Sequence, residues 1–189
     1  METLFRSQMM NILNLFLTNR GSSFHLRELI KKTNMSSYSV SRYVDELVKQ
    51  EVLLEKKERN LRILKLNYSN PIVIGVATYY CEQKLSLLPQ KVQHAITEFS
   101  QMFDNQFIAL FGSYAKDNAD ANSDIDIFVF ANKMITKSPD TSQINHKYMV
   151  RINPVFSTEI QTIAQQHVMQ TAIPITNHAR FFKEYGNAN

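Results

Sequence analysis

Two short apolar segments separated by a Gly-Ser turn constrain the fold of this chain most strongly. Residues 106–111 (QFIALF) and 125–130 (IDIFVF) are rich in Ile, Val and Phe and are bounded by polar residues. Such runs are typical of short, fully buried β-strands. Gly112-Ser113 follows the first run directly, and Asp124 and Asp126 open the second. The pattern predicts polar groups at the ends of two neighbouring strands.

The spacing of the two aspartates predicts a metal site. Because side chains alternate along a strand, Asp124 and Asp126 are expected on one face, about 6.6 Å apart along the backbone. Two carboxylates so placed can share one divalent ion, and hard oxygen ligands in that number suit Mg²⁺. Gly112 lets the backbone approach a phosphate closely, and Ser113 can offer its N–H and hydroxyl at the start of the following helix.

The order Gly112-Ser113, then Asp124-x-Asp126 on a strand, resembles the minimal nucleotidyltransferases of the DNA polymerase beta superfamily. The resemblance implies transfer of a nucleoside monophosphate, AMP being the expected one, from an NTP to the hydroxyl of a protein or a small molecule. It also implies that Gly112 and Ser113 hold the outer phosphates. Asp124 and Asp126 would be the catalytic, metal-binding residues, with Mg²⁺ as cofactor and ATP as the expected donor.

Two positions depart from the pattern of this superfamily. Asp117 stands where a Gly is usual, and the next strand, Arg151–Phe156, carries Arg151 and Asn153 where a third carboxylate is expected. That carboxylate would act as general base and complete a two-metal site, and Asn153 cannot accept a proton. Glu159 is the alternative base, although its position also suits a helix cap.

Charge and proline placement divide the chain in two. Residues 1–70 contain 12 Lys and Arg against 7 Asp and Glu, a net charge of +5, whereas residues 71–189 have a net charge of −1. Pro71 follows the polar turn Ser69-Asn70, and a proline disfavours helix at the residue before it. We therefore predict two domains, 1–70 and 71–189.

The first domain shows the pattern helix, helix, turn, helix, hairpin. Helices are predicted over about residues 2–19, over Leu26–Lys32 and after Ser36, since Ser or His residues could cap their starts. Two apolar runs, 52–54 and 61–66, follow and are joined by the basic tip Glu55–Asn60. This stretch resembles the winged helix-turn-helix domains of prokaryotic DNA-binding regulators.

The resemblance implies that the third helix enters the major groove while the hairpin lies on the backbone of the duplex. Arg42 is suited to bidentate contact with guanine, and basic residues of the hairpin are placed to contact phosphates. The predicted DNA-binding residues are Ser37, Tyr38, Ser41, Arg42, Lys56, Lys57, Arg59 and Arg62. Winged helices also serve as dimerisation or protein-docking modules, so that reading stays open, and with it a homodimer.

Composition sets the remaining expectations. No run approaches the 18 or more apolar residues that span a bilayer, so we expect a soluble protein without a membrane partner. The only cysteine, Cys81, excludes an internal disulfide and fits the reducing cytoplasm.

The predicted fold class is α+β: an N-terminal winged helix-turn-helix followed by a small α/β nucleotidyltransferase domain with a mixed sheet. The leading function is Mg²⁺-dependent nucleotidyl transfer tethered to DNA. The resemblance extends to antitoxins that nucleotidylate a HEPN-type ribonuclease toxin and to enzymes that modify aminoglycosides. The alternative is a non-catalytic DNA-binding regulator or antitoxin that uses a degenerate fold to sense a nucleotide or dock a partner.

Overall fold

The computed structural model describes residues 7–103, 106–130, 139–157 and 169–186. The chain divides between Ala77 and Thr78 into two compact units. We call them the N-terminal unit and the C-terminal unit and describe each by itself.

The N-terminal unit contains three helices and a small antiparallel sheet. In chain order these are α1 (Ser7–Leu17), β1 (Ser23–His25), α2 (Leu26–Thr33), α3 (Ser37–Lys49), β2 (Leu53–Glu58) and β3 (Leu61–Leu66). The strand order is β1-β3-β2. Apolar residues at helical spacing place one side of each helix in a shared core, which includes Leu13, Leu29, Val44 and Leu64, each at most 1% exposed.

Two details of this unit differ from the sequence prediction. The hairpin extends further than predicted, because Glu55–Glu58 pairs in register with Leu61–Leu64 and leaves a turn at Arg59-Asn60. Residues 55–60 were predicted as the basic tip of the hairpin, but the strand pairing continues through Glu58. The short strand β1 was not predicted; it pairs Phe24 with Leu64 on the other edge of β3.

Asn70 joins the end of the N-terminal unit to the next helix, α4 (Pro71–Ser86). Its side-chain oxygen accepts a hydrogen bond from Ile72 N–H at 2.9 Å, and its amide donates to the carbonyls of Gln50 and Glu51 at 3.1 Å. Asn70 therefore caps the start of α4, and Pro71 stands at the first helical position, where its missing N–H costs nothing. The predicted boundary after Asn70 coincides with this helix start, and α4 itself runs across the division between the units.

The C-terminal unit is built on a mixed sheet, as predicted. After α4 the elements are α5 (Gln90–Ser100), β4 (Phe107–Phe111), α6 (Gly112–Ala115), β5 (Ile125–Phe130), α7 (Ser142–Tyr148), β6 (Ile152–Ser157), β7 (Ile173–Pro174) and α8 (His178–Tyr185). The described strands have the order β6-β5-β4-β7, with β5 and β6 parallel and the other pairs antiparallel.

The core of this unit surrounds the two central strands. Ile108, Leu110, Ile125 and Ile127 are fully buried, as the apolar runs predicted. Aromatic rings pack at the far end of the strands, where Phe107 stacks on Phe130 with ring centres 3.8 Å apart. Rigid packing of β4 and β5 fixes the positions of the residues at their polar ends.

Candidate functional site

Gly112 brings the chain at the end of β4 directly against the Asp126 side chain. Gly112 has φ +72°, a left-handed conformation that favours glycine. A Cβ atom added at this position would lie 3.0 Å from Asp126 Cγ and would overlap the nearer carboxylate oxygen. The sequence needs a glycine here for both reasons. The turn therefore holds backbone and carboxylate closer together than any side chain would permit.

Strand register explains why these residues meet. Phe111 lies opposite Asp126 across the antiparallel pair β4–β5, and Asp126 lies opposite Asn153 across the parallel pair β5–β6. Residues in register share a face of the sheet. Asp126 is consequently flanked by the Gly112 turn on one side and by Asn153 on the other.

Each of the two carboxylates receives a hydrogen bond from β6 or the residue before it. Asn153 Nδ2 donates to Asp126 Oδ1 at 2.8 Å, and Arg151 Nε donates to Asp124 Oδ1 at 2.5 Å. The contact with Asp124 raises the pKa of the Arg151 guanidinium above its usual value. The sequence analysis identified positions 151 and 153 as the place where an acid is missing. Their pairing with the two aspartates depends on the parallel register of β5 and β6.

Two neighbouring clefts open beside this site. One, of about 430 Å³, is lined by Asp124 and Arg151 together with Tyr114, Lys91, Ser123 and Met149. The other, of about 500 Å³, shares Tyr114 and Lys91 and is more apolar, with Leu87, Leu88 and Pro89 on its wall. Burial raises the pKa of the Tyr114 phenol, and the negative charge of Asp120 adds to this effect. Tyr114 and Lys91 were not predicted as site residues; Tyr114 directly follows Gly112-Ser113 in the sequence, whereas Lys91 belongs to no motif.

The donor set fits a magnesium ion that completes its coordination shell with phosphate and water. Among the described residues, no three acidic, His or Cys side chains converge in the way a closed metal site requires. Asp124 and Asp126 are both half-buried, and Asp126 lies directly against Gly112. Mg²⁺ is commonly bound by one or two carboxylates plus substrate phosphates. The alternative base, Glu159, lies outside the described residues.

Asp117 adopts the backbone conformation that explains why a glycine is usual at this position. It follows α6 with φ +56°. This left-handed region costs a residue with a Cβ about 1–2 kcal/mol, although Asp tolerates it better than most. The Asp117 carboxylate also forms an ion pair with Lys84.

We therefore expect Asp117→Gly to be more stable than Asp117→Ala. Both variants lose the Lys84 ion pair, and only glycine relieves the left-handed backbone, so the difference isolates the conformational cost at about 1 kcal/mol. Urea unfolding of the two full-length variants measures it. Equal stabilities would mean that the turn relaxes when the side chain is removed.

The residues predicted to bind DNA lie on α3 and on the β2–β3 hairpin. Ser36 caps α3 by accepting a hydrogen bond from Ser39 N–H at 3.1 Å. Ser37, Tyr38 and Arg42 are exposed on this helix. Tyr38 is 74% exposed, and the Arg42 guanidinium lies over the Tyr43 ring at 5.0 Å.

The basic residues of the hairpin differ in how they are paired. Arg62 donates to Glu55 at 2.9 and 3.0 Å and to Asp45 at 2.7 Å, and it is only partly exposed. Lys56 forms an exposed ion pair with Glu58 at 2.6 Å. Lys57 and Arg59 are exposed at and beside the turn. Ser41, on α3, is half-buried.

In the C-terminal unit, the Gly-Ser turn at the end of β4 and the two aspartates at the start of β5 form the candidate site. Residues 92–185 match the family model for the nucleotidyltransferase domain, a segment that contains Gly112, Ser113, Asp124 and Asp126. The match supports the nucleotidyltransferase superfamily for this segment, about half of the chain. Domains of this family act on an NTP substrate and usually use divalent metals.

Searches of curated proteins and of solved structures gave no significant match. Within the part of the chain that the structure describes, every helix is too short or too polar to cross a bilayer.

Proposed function

We propose that the C-terminal unit transfers a nucleoside monophosphate, AMP from ATP, to the hydroxyl of a protein or small-molecule acceptor in a Mg²⁺-dependent reaction. The observation that carries this proposal is the packing of the Gly112 turn against Asp126, two residues along the chain from Asp124, which lines the cleft of about 430 Å³. A phosphate chain is bound by backbone N–H groups that can approach it closely, and its cation is bound by oxygen ligands. The Gly112 turn can supply the first, and the two aspartates can supply the second.

In this proposal Gly112 and Ser113 hold the outer phosphates, and Asp124 and Asp126 hold the cation. Mg²⁺, when bound, would neutralise charge on the phosphates and stabilise the attacking and leaving oxygens. The acceptor oxygen forms a bond to the α-phosphorus while the bond to the β-phosphate oxygen breaks and pyrophosphate leaves. The protein contributes mainly positioning and electrostatic stabilisation, as in other phosphoryl transfers.

The proton of the acceptor hydroxyl must leave during this reaction. At the position opposite Asp126, Asn153 offers an amide that donates a hydrogen bond and accepts no proton. Within the proposal the proton therefore passes to solvent or to a base elsewhere in the chain. We expect the turnover to be slow compared with a site that holds a carboxylate at position 153.

One observation favours the alternative function, a non-catalytic regulator. Arg151 and Asn153 already supply donors to the two carboxylates, and this satisfies part of the demand that a cation would meet. A protein of this kind would bind a nucleotide without turning it over.

A transfer assay with α-labelled ATP, Mg²⁺ and an extract that contains the acceptor distinguishes the two functions. The enzyme would transfer label to an acceptor in a Mg²⁺-dependent manner and release pyrophosphate. The sensor would retain unmodified nucleotide at any concentration of Mg²⁺. Within the enzyme proposal, a HEPN-type ribonuclease is the protein acceptor that the resemblance to antitoxins suggests, and the cytoplasm is the expected compartment.

For the N-terminal unit we propose a winged helix that binds duplex DNA. The order α1-β1-α2-α3-β2-β3 and the antiparallel sheet β1-β3-β2 support it, since this is the order of elements in that motif. The exposed side of α3, with Tyr38 and Arg42, would enter the major groove. Dimerisation through the same unit is the competing proposal.

We expect the exposed basic residues of the hairpin to contribute affinity without sequence preference. Each phosphate neutralised by Lys or Arg changes the slope of log affinity against log salt by about 0.9. Replacing Lys56, Lys57 and Arg59 by Ala should flatten this slope by up to about 3, whereas Arg42→Ala should cost about 1–3 kcal/mol on a preferred site only. Because Arg62 is held by two acids, its replacement should act mainly on stability.

Fluorescence anisotropy of the full chain on mixed-sequence duplexes measures these effects over a series of salt concentrations. Lys116→Ala, an exposed cation of the C-terminal unit, is the matched control and should leave the slope unchanged. If the full chain shows no salt-sensitive binding at low ionic strength, the winged helix is a docking or dimerisation module.

A further inference from the structure

Arg151 is the residue through which the empty and the nucleotide-bound forms of the site are expected to differ. It directly precedes β6, and its Nε lies 2.5 Å from Asp124 Oδ1. The Arg151 side chain is 73% exposed, whereas the Asp124 side chain is 32% exposed. The carboxylate is therefore held by the sheet, while the guanidinium reaches it from the solvent side.

A guanidinium in this place competes with a metal ion for the same oxygen. Both are cations, and a carboxylate oxygen that accepts from Arg has a lone pair fewer for a metal. An exposed ion pair contributes little to stability, commonly below about 1 kcal/mol. The competition is consequently weak, and a cation that is delivered together with a phosphate chain can displace Arg151.

The cleft supplies a new partner for the displaced guanidinium. Arg151 lines the space of about 430 Å³ beside Asp124, and Lys91 lines it as well. A cleft lined by two cations and by the Asp124 carboxylate suits a ligand that carries both a divalent cation and several negative charges. Arg is well matched to phosphate, because its planar fork can donate two parallel hydrogen bonds.

We propose that Arg151 exchanges partners: it neutralises Asp124 when no metal is bound, and it binds the phosphate chain of the nucleotide when the metal-nucleotide complex occupies the site. The inference rests on the proposed binding of a metal-bound NTP at Asp124 and Asp126. It assigns Arg151 a role in substrate binding that no motif of the sequence indicates. It also explains how a basic residue can stand at this position without blocking the site.

The exchange predicts opposite effects of one substitution on two ligands. In Arg151→Ala, Mn²⁺ alone should bind about two- to fivefold more tightly, since the competing exposed ion pair is removed. The same variant should bind ATP in the presence of Mn²⁺ about tenfold or more weakly, since a charge-assisted hydrogen bond to phosphate is lost. Arg151→Lys keeps the charge but not the fork, so its Mn²⁺ affinity should stay near wild type while the ATP affinity recovers in part.

The experiment titrates the full-length protein with Mn²⁺, followed by electron paramagnetic resonance, and with ATP at saturating Mn²⁺, followed by calorimetry. Lys147→Ala is the matched control: it removes an ion pair of similar length, 2.6 Å to Glu98, from a position outside the cleft. It should change neither affinity. Circular dichroism checks that each variant is folded, and Arg151→Gln replaces the alanine variant if that variant unfolds.

The outcomes separate the inference from the function on which it rests. If Arg151→Ala binds both ligands more tightly, Arg151 only obstructs the site. If it binds both more weakly, Arg151 only supports the structure. Either result overturns the exchange, and so does a variant in which neither affinity changes. If wild type itself binds no ATP with Mn²⁺, the proposed function fails, and the exchange fails with it. A wild type that binds normally, combined with no opposite effects in the variant, rejects the exchange alone.

Discussion

Replacing both Asp124 and Asp126 by Asn is expected to abolish Mg²⁺-dependent binding of ATP and to leave the fold intact. The two side chains provide the carboxylates of the proposed metal site, and an amide oxygen is a much weaker ligand for Mg²⁺. The fold should tolerate the change because Asn at position 126 can still accept from Asn153.

Calorimetry with Mg²⁺ and ATP measures this loss, and thermal unfolding checks the fold. The control is a second double variant, Glu98→Gln with Glu184→Gln, which removes the same number of negative charges from side chains that do not line the clefts. It should bind Mg²⁺-ATP as wild type does. If the Asp124 and Asp126 double variant still binds Mg²⁺-ATP, these residues do not form the metal site.

Asn153→Asp is expected to raise the rate of nucleotidyl transfer by a factor of about 10² to 10⁴, the usual contribution of a positioned general base. Position 153 lies directly opposite Asp126 on the neighbouring parallel strand. A carboxylate there would stand where the Asn153 amide now contacts Asp126 at 2.8 Å. It could accept the proton of the acceptor hydroxyl and add a ligand for the cation.

The same substitution should make the metal-free protein less stable. It replaces a hydrogen bond to Asp126 by a like-charge contact, which raises the pKa of one of the two carboxyls. Added Mg²⁺ should restore the stability. A gain in turnover, together with stability that Mg²⁺ restores, would place the new carboxylate in the site.

Steady-state transfer of labelled ATP tests the rate, with Asn153→Ser as the control that removes the amide without adding a base. The serine variant should show no gain. If Asn153→Asp also shows none, or if its gain disappears only when Glu159 is replaced by Gln, the base belongs to another position. In that case the sensor reading of the site gains support.

Local sequence determined most of the elements that build the site. The apolar runs at 106–111 and 125–130 contain β4 and β5, because mostly buried residues with β-branched and aromatic side chains suit a strand that is covered on both faces. The Gly112-Ser113 turn and the Asp124-x-Asp126 spacing are likewise local features of the sequence.

Other features required the tertiary structure. The contacts of Arg151 with Asp124 and of Asn153 with Asp126 join residues 27 positions apart, and only the parallel register of β5 and β6 brings them together. The two-residue strand β7 is too short to leave a periodic signal; it exists because Ile173 and Pro174 meet the exposed edge of β4. The left-handed backbone of Asp117 could not be predicted from the sequence either, because it belongs to the turn after α6. Sequence alone therefore predicted the Gly-Ser turn and the two aspartates, whereas strand pairing decided which residues contact them.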